Sequence, residues 1–364
     1  MNRELIFKLS DALLDEKVTV EDEDWELLLG QIVTNRVVGI AYKNLKKSEV
    51  KMANEIEQCL KSTLDYNVRK TKDYIDNVKY IGTIMSEASF NYALLKGAYL
   101  ATKVYEIGNR TSNDIDIFLH SSDLTECQEI LKKNGFIQGY FANGEIIPAT
   151  RREILMARMN YGETVPFLKM VNGNLLELDL NFSLDFKPSG NSEIMSKMLS
   201  DVSYVELDDV GFKTLKLTDF IIHLCAHLYK EATTYDWVVG RRDLNLYKFS
   251  DINVLLRKML DEKLCKALVE RIKEFDIKNE CYYSFYNSGL IYPKLYENQY
   301  FKQLLDGIKP ESLRYMKQIV WPVKKELYEY QHDFIEWFLH KDRVNELKSV
   351  SYTHLRAHET LSDL

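Results

Sequence analysis

Two acidic stretches carry the chemistry this sequence can offer. In Asp114-Ile115-Asp116-Ile117 the residue types alternate, so on a strand both isoleucines face one side and both carboxylates the other. Like charges placed together repel unless water or a cation neutralises them, and by itself such a pair also suits a solvated strand end. The second stretch, Leu176-Glu177-Leu178-Asp179-Leu180-Asn181, turns three leucines one way and Glu177, Asp179 and Asn181 the other. Three carboxylates converging at a sheet can hold two Mg²⁺ about 3.5–4 Å apart, a spacing suited to in-line phosphoryl or nucleotidyl transfer. One ion would activate the attacking oxygen and the other would clamp a triphosphate, and Mg²⁺ prefers such hard oxygen ligands. Upstream, Leu94-Leu95-Lys96-Gly97-Ala98 reads as a strand-to-helix turn. Gly97 permits close backbone approach there, and amides at the helix start could bind phosphate, although a plain structural turn uses the same residues. Arg110, with Ser112 beside it, precedes the Asp pair; its guanidinium suits either a phosphate or a surface ion pair.

These residues need elements to position them. Up to about residue 88 the chain reads as helical: Ile6, Leu9, Leu13 and Leu14 share a face, as do Trp25, Leu28, Leu29, Ile32 and Val33. Between Met52 and Met85 a charged, Pro-free stretch predicts a long amphipathic helix with at most one break. From Asn91 the pattern becomes mixed, with a short strand at 92–95, a helix over 98–105 and a strand over 114–119. Asp123 with Glu126 predicts a capping box opening a helix to about Asn134, closed by Gly135-Phe136. Hairpin turns are expected at Asn143-Gly144 and at Asn172-Gly173, the latter between strands 165–171 and 175–182. After strands at 205–207 and 212–217, Thr218 is expected to cap a helix, with mostly helix to about Lys348. The domain edges so read are a helical region over 1–88, a central domain over 89–211 and a helical domain over 212–348. The string from Ser349 to Leu364, with His354 and His358, resembles translated adaptor sequence and stays outside the functional reading.

Composition narrows the function. The chain of 364 residues has 48 Lys and Arg against 55 Asp and Glu, a net charge of −7, with 46% apolar and 28% charged residues. Such a chain can build a core and is a poor candidate for coating nucleic acid by net charge. Its five cysteines, Cys59, Cys127, Cys225, Cys265 and Cys281, form no CxxC clip and read as reduced thiols. No signal peptide is apparent, and the most apolar helix candidate, 220–229, is too short to span a bilayer. The expectation is a cytoplasmic protein. His223 and His227 lie four apart, but Leu224 supplies no base, so they read as core or interhelix residues rather than a zinc-protease motif. Lys248 and the Arg241-Arg242-Asp243 cluster read as surface charge, and the Tyr-rich stretch from Tyr282 to Tyr296 as core.

Leu95-Lys96-Gly97, then Arg110-Thr111-Ser112-Asn113-Asp114-Ile115-Asp116-Ile117, then a helix ending in Asn134-Gly135-Phe136, resembles the DNA polymerase beta-like nucleotidyltransferase superfamily. More narrowly it is similar to the bacterial family of uncharacterised nucleotidyltransferases, whose later acidic strand of the form D-L-H-W corresponds to Asp179-Leu180-Asn181-Phe182. The resemblance spans roughly residues 5–260. It implies an α+β fold, a nucleotidyltransferase core with a central mixed sheet flanked by N-terminal and C-terminal helical regions. It further implies Asp114, Asp116 and Asp179 as metal ligands and catalytic residues, with Asp179 preferred to Glu177 by register. Lys96, Gly97, Ala98, Arg110 and Ser112 would handle the nucleotide. The cofactor would be Mg²⁺ in a two-ion site, with Mn²⁺ as substitute, and the co-substrate an NTP, ATP first. The acceptor expected is a small molecule, ahead of a tRNA end or a protein side chain. Two departures stand out: Ala98 replaces the usual Ser or Gly after Gly97, and Asn181-Phe182 replaces His-Trp. They leave open a descendant that binds nucleotide or a partner without turnover.

Overall fold

The computed structural model describes residues 3–20, 24–161, 164–171, 173–184 and 192–350. Helices α1 (Arg3–Ser10), α2 (Trp25–Thr34), α3 (Val38–Lys47) and α4 (Asn54–Met85) come first. Then follow β1 (Tyr92–Leu94), α5 (Gly97–Tyr99, continuing as a wider helical turn over Leu100–Val104), β2 (Asp114–Leu119), α6 (Leu124–Lys133), β3 (Ile137–Ala142) and β4 (Glu145–Pro148). Next are α7 (Arg151–Tyr161), β5 (Phe167–Val171), β6 (Asn174–Asn181), α8 (Ser192–Ser200), β7 (Val202–Leu207) and β8 (Val210–Leu215). Helices α9 (Leu217–Ala232), α10 (Tyr235–Val239), α11 (Leu246–Met259), α12 (Glu262–Glu274), α13 (Lys278–Ile291) and α14 (Gln299–Ile308) precede β9 (Gln318–Trp321), β10 (Glu326–Glu329), α15 (Phe334–Leu339) and β11 (Lys348–Ser349). The chain divides into two compact units, Asp65–Phe220 and Met1–Leu64 with Ile221–Leu364.

The unit Asp65–Phe220 is built on a mixed six-stranded sheet in the order β1-β2-β6-β5-β3-β4. β2 and β6 run parallel, and the other neighbouring pairs are antiparallel. The alternation in β6 is realised as read: Leu176, Leu178 and Leu180 are buried, while Glu177, Asp179 and Asn181 are partly open on the opposite face. Ile115 and Ile117 of β2 are buried on the same side as those leucines, and this one-sided burial fixes the register. The β3–β4 hairpin turns on Asn143 and Gly144, both at positive φ (55° and 85°), the geometry that tightly twisted hairpins require. In the β5–β6 hairpin Gly173 takes φ 79°, while Asn172 lies outside the described residues. The α+β architecture with a central mixed sheet is therefore the one expected.

Local expectations fail where a better partner is at hand. Asp123 makes no side-chain cap to α6, because Glu126, the other half of the expected capping box, instead accepts from the backbone and hydroxyl of Ser89. Thr218 lies inside α9, which begins one residue earlier. α4 runs unbroken for 32 residues. The C-terminal region contains a three-stranded sheet, β11-β10-β9, that its short, charged segments did not announce. Stacking of Tyr235 on Trp321 and Tyr328 supports it, a contact invisible to periodicity. Lys248 is buried rather than superficial, donating to the backbone oxygens of Arg242 (2.7 Å) and Asp243 (3.2 Å) and pairing with Glu231. Asp243 is likewise buried, against Arg343. Of the cysteines, Cys59 is exposed and the other four are buried, none in a disulfide. Residues 351–364, including His354 and His358, lie outside the described residues.

The other unit is organised around a buried carboxylate. Asp11, at the end of α1, accepts from Arg257 Nη1 (2.7 Å), Asn253 Nδ2 (3.0 Å) and the Leu13 amide (2.9 Å). Its backbone oxygen takes a hydrogen bond from Asn44 Nδ2, which also donates to Leu9. Asp11 thus ties the end of α1 to α11 through its carboxylate and to α3 through its backbone oxygen. Replacing Asp11 with Ala strands the Arg257 charge, and we expect a loss of about 3–5 kcal/mol, read as a lower urea midpoint for this unit.

Candidate metal and nucleotide site

The parallel pairing of β2 with β6 sets Asp114 opposite Glu177 and Asp116 opposite Asp179. Both strands turn their carboxylates to the same face, so charges distant in sequence become neighbours. One ligand oxygen from each of Asp114, Asp116 and Asp179 can lie within 4.8 Å of the others. That spacing suits hard divalent cations, whose oxygen ligands sit about 2.0–2.1 Å away for Mg²⁺, after small side-chain rotations. Glu177 is not in this trio; it stands beside Asp114.

Two donors converge on the central carboxylate. Lys96 Nζ lies 2.9 Å from Asp116 Oδ1, and Asn181 Nδ2 donates to the same oxygen at 3.1 Å. Lys96 reaches it from the β1–α5 turn, where its backbone adopts φ 40°, a left-handed conformation costly for a side chain with a Cβ. Such strain persists because the turn is held on both sides, by Leu95 N–H to Asp116 O and Ala98 N–H to Leu95 O. The Ala98 amide is thereby engaged within the turn, and its methyl is buried. Gly97 is needed for a reason other than an open approach. A Cβ there would fall 2.1 Å from Ser112 Oγ and 2.7 Å from Tyr74 Oη, so these two side chains close over it. Arg110 is nearly buried and donates through Nη1 to Thr111 O and to Ser112 Oγ (3.2 Å). Lys96, Gly97, Arg110 and Ser112 therefore gather at one edge of the acidic face.

Tyr74 was not singled out by sequence. It belongs to the buried stripe of α4 with Thr71, Val78 and Ile81, and nothing in that period marks it as different. Its buried hydroxyl has no hydrogen bond of good geometry. Burial pushes its pKa well above the usual tyrosine value, and the charges of Asp114 and Asp116 push it further, against smaller opposing effects of Arg110 and Ser112. The Asp114 carboxyl is also raised, first by burial and then by Asp116, with Lys96 and Arg110 opposing. Burial and Asp114 raise Glu177. The face thus gathers four carboxylates, Asp114, Asp116, Glu177 and Asp179, with Lys96 paired to Asp116.

A mixed sheet presenting an Asp-x-Asp strand beside a second acidic strand, next to a Lys-Gly turn, defines a nucleotidyltransferase-like domain. The chain belongs to the uncharacterised nucleotidyltransferase family, whose sequence profile matches residues 21–293. No curated protein matches it in sequence. Among solved structures, it is similar to an antigenic nucleotidyltransferase-like protein from Paracoccidioides brasiliensis, at 13% identity, covering 58% of this chain and 92% of that one with a TM-score of 0.32. Among the described residues no helix is long and apolar enough to cross a membrane.

The raised carboxyl of Asp114 has a consequence for stability. Below the ordinary carboxylate value of 3.8 the group is protonated in folded and unfolded chains alike and costs nothing. As pH rises through its higher folded value, ionisation in this buried position, and next beside Asp116, penalises the fold. In EDTA at neutral pH, Asp114→Asn should therefore melt a few degrees above the wild type, a gap that closes as pH falls towards 4. Mg²⁺ should reverse the order, stabilising the wild type alone.

Proposed function

We propose that the protein is a Mg²⁺-dependent nucleotidyltransferase that moves a nucleoside monophosphate from an NTP, ATP first, to a hydroxyl or phosphate of a small-molecule acceptor, releasing pyrophosphate. The observation that carries this reading is the meeting of Asp114, Asp116 and Asp179 on one face of the sheet. Asp114 and Asp116 are the paired metal ligands, and Asp179 is the third. Two Mg²⁺, or Mn²⁺ in their place, would supply Lewis-acid activation and neutralise charge at the α-phosphate.

The remaining roles follow from the chain's own side chains. Asp179, on the neighbouring strand, takes the proton from the acceptor oxygen as it attacks. Lys96 and Arg110 set positive charge at the edge where the triphosphate's negative oxygens lie, and Ser112 holds Arg110 in place. Asn181 orients Asp116, so the central carboxylate is fixed before substrate arrives. The net charge of −7 supports a small acceptor over a polyanion such as tRNA, which would need a basic face to hold its phosphates. We place this chemistry in the cytoplasm.

One observation favours a second reading, nucleotide binding without turnover: Lys96 already supplies a cation to Asp116. A chain that had lost its metals would be stabilised by such a pair. The two readings part in one experiment. Incubation with α-labelled NTPs, Mg²⁺ and a panel of hydroxylated small molecules, tRNA and protein should label an acceptor. Asp114→Asn and Asp116→Asn should each lower the rate by about 10²-fold or more, in line with the loss of other charge-stabilising groups. Tight, stoichiometric NTP binding with no transfer to any acceptor would select the second reading, and full rate in the Asn variants would overturn the first.

A further inference from the structure

Far along the sequence from the acidic face, beyond the family-matched span, a second set of ligating side chains meets. His332 precedes α15, His340 terminates it, and Glu346 lies in the turn before β11. Their ligand atoms can all lie within 4.8 Å of one another. His332 Nε2 is 3.4 Å from Glu346 Oε2, and His340 Nε2 is 3.9 Å from Glu346 Oε1. In a tetrahedral site with bonds of about 2.0–2.1 Å, neighbouring ligand atoms stand about 3.3 Å apart, so small rotations complete the geometry. We propose that His332, His340 and Glu346 form a binding site for a divalent transition-metal ion of the Zn²⁺ class.

The donor set fits that class and differs from the all-carboxylate site. Two imidazoles with one carboxylate favour borderline ions such as Zn²⁺, whereas oxygen-only sites favour Mg²⁺ or Mn²⁺. The two rings stack at 5.2 Å with 28° between their planes. Protonated together they would repel; as neutral ligands to one ion they do not. The other nitrogen of His332, Nδ1, faces Glu336 Oε2 at 3.5 Å. A carboxylate in that position holds the ring proton on Nδ1 and leaves Nε2 as the ligand, the arrangement common around bound zinc. His340 pays a cost, since its Nδ1 accepts from the Asp342 amide at 3.2 Å. With Nε2 on the ion the proton moves to Nδ1 and this exposed amide turns to water. All the side chains are partly open, which gives an ion a path in and leaves the fourth position to water. An ion here would clasp both ends of α15 to the turn before β11.

The test uses the full chain carrying Asp114→Asn, Asp116→Asn, His354→Ala and His358→Ala, so that neither the acidic face nor the terminal histidines contribute. Its outcome is thereby independent of the nucleotidyltransferase reading. Equilibrium dialysis against Zn²⁺ should give one ion per chain with micromolar affinity or better, undisturbed by excess Mg²⁺. Glu346→Gln and His332→Ala should each weaken binding at least tenfold, and Glu336→Gln about tenfold. Co²⁺ in place of Zn²⁺ should show the intense visible bands of a tetrahedral site. An absence of Zn²⁺ binding, or binding left intact by both His332→Ala and the isosteric Glu346→Gln, overturns the proposal and leaves an ordinary His–Glu ion-pair network.

Discussion

Asp116 and Asp179 sit side by side because two parallel strands are locked in register by the apolar residues on their reverse face. Slipping the pairing by one residue would bury the carboxylates and expose the leucines, so burial of the apolar side holds the like charges together on the other. Much of the surrounding arrangement follows from that enforced repulsion. Lys96 is drawn onto Asp116 from a strained turn, Asn181 donates to the same oxygen, and Arg110 stays nearby though nearly buried. Burial first, and Asp116 second, hold the Asp114 carboxyl above its usual range against the opposing charges of Lys96 and Arg110. The nucleotidyltransferase reading rests on the three carboxylates that this register brings together.

The acidic face was legible in the sequence to the extent that it is a matter of alternation. Period-two patterns in β2 and β6 declared which residues share a side, and strand polarity then needed only parallel pairing to bring the carboxylates together. What the sequence withheld was everything that depends on close approach between elements. Tyr74 lies in an ordinary apolar stripe of α4, and only the packed structure shows its hydroxyl over Gly97. Gly97 itself reads as an opening for phosphate, whereas Ser112 and Tyr74 fill the space above it. Glu126 presents a capping signal yet is captured by Ser89, since a nearby amide and hydroxyl outcompete the helix terminus.

Charged residues elsewhere show the same limit. Lys248 and Asp243 look superficial in one dimension, yet both are buried, because carbonyl oxygens and opposing charges from other elements meet them there. The small C-terminal sheet was missed for a related reason: strands of two to four residues have too few alternations to register, and aromatic stacking from α10 supplies what pattern does not.

The bond from Asn181 to Asp116 joins residues 65 positions apart. The intervening chain forms two helices, α6 and α7, and three strands, β3 to β5, between the two acidic segments. Long crossovers of this kind are slow to close and contribute only once they are complete. A fragment ending before β6 therefore carries the Asp114 and Asp116 pair without Asp179. The three carboxylates come together only in a chain that is folded through β6.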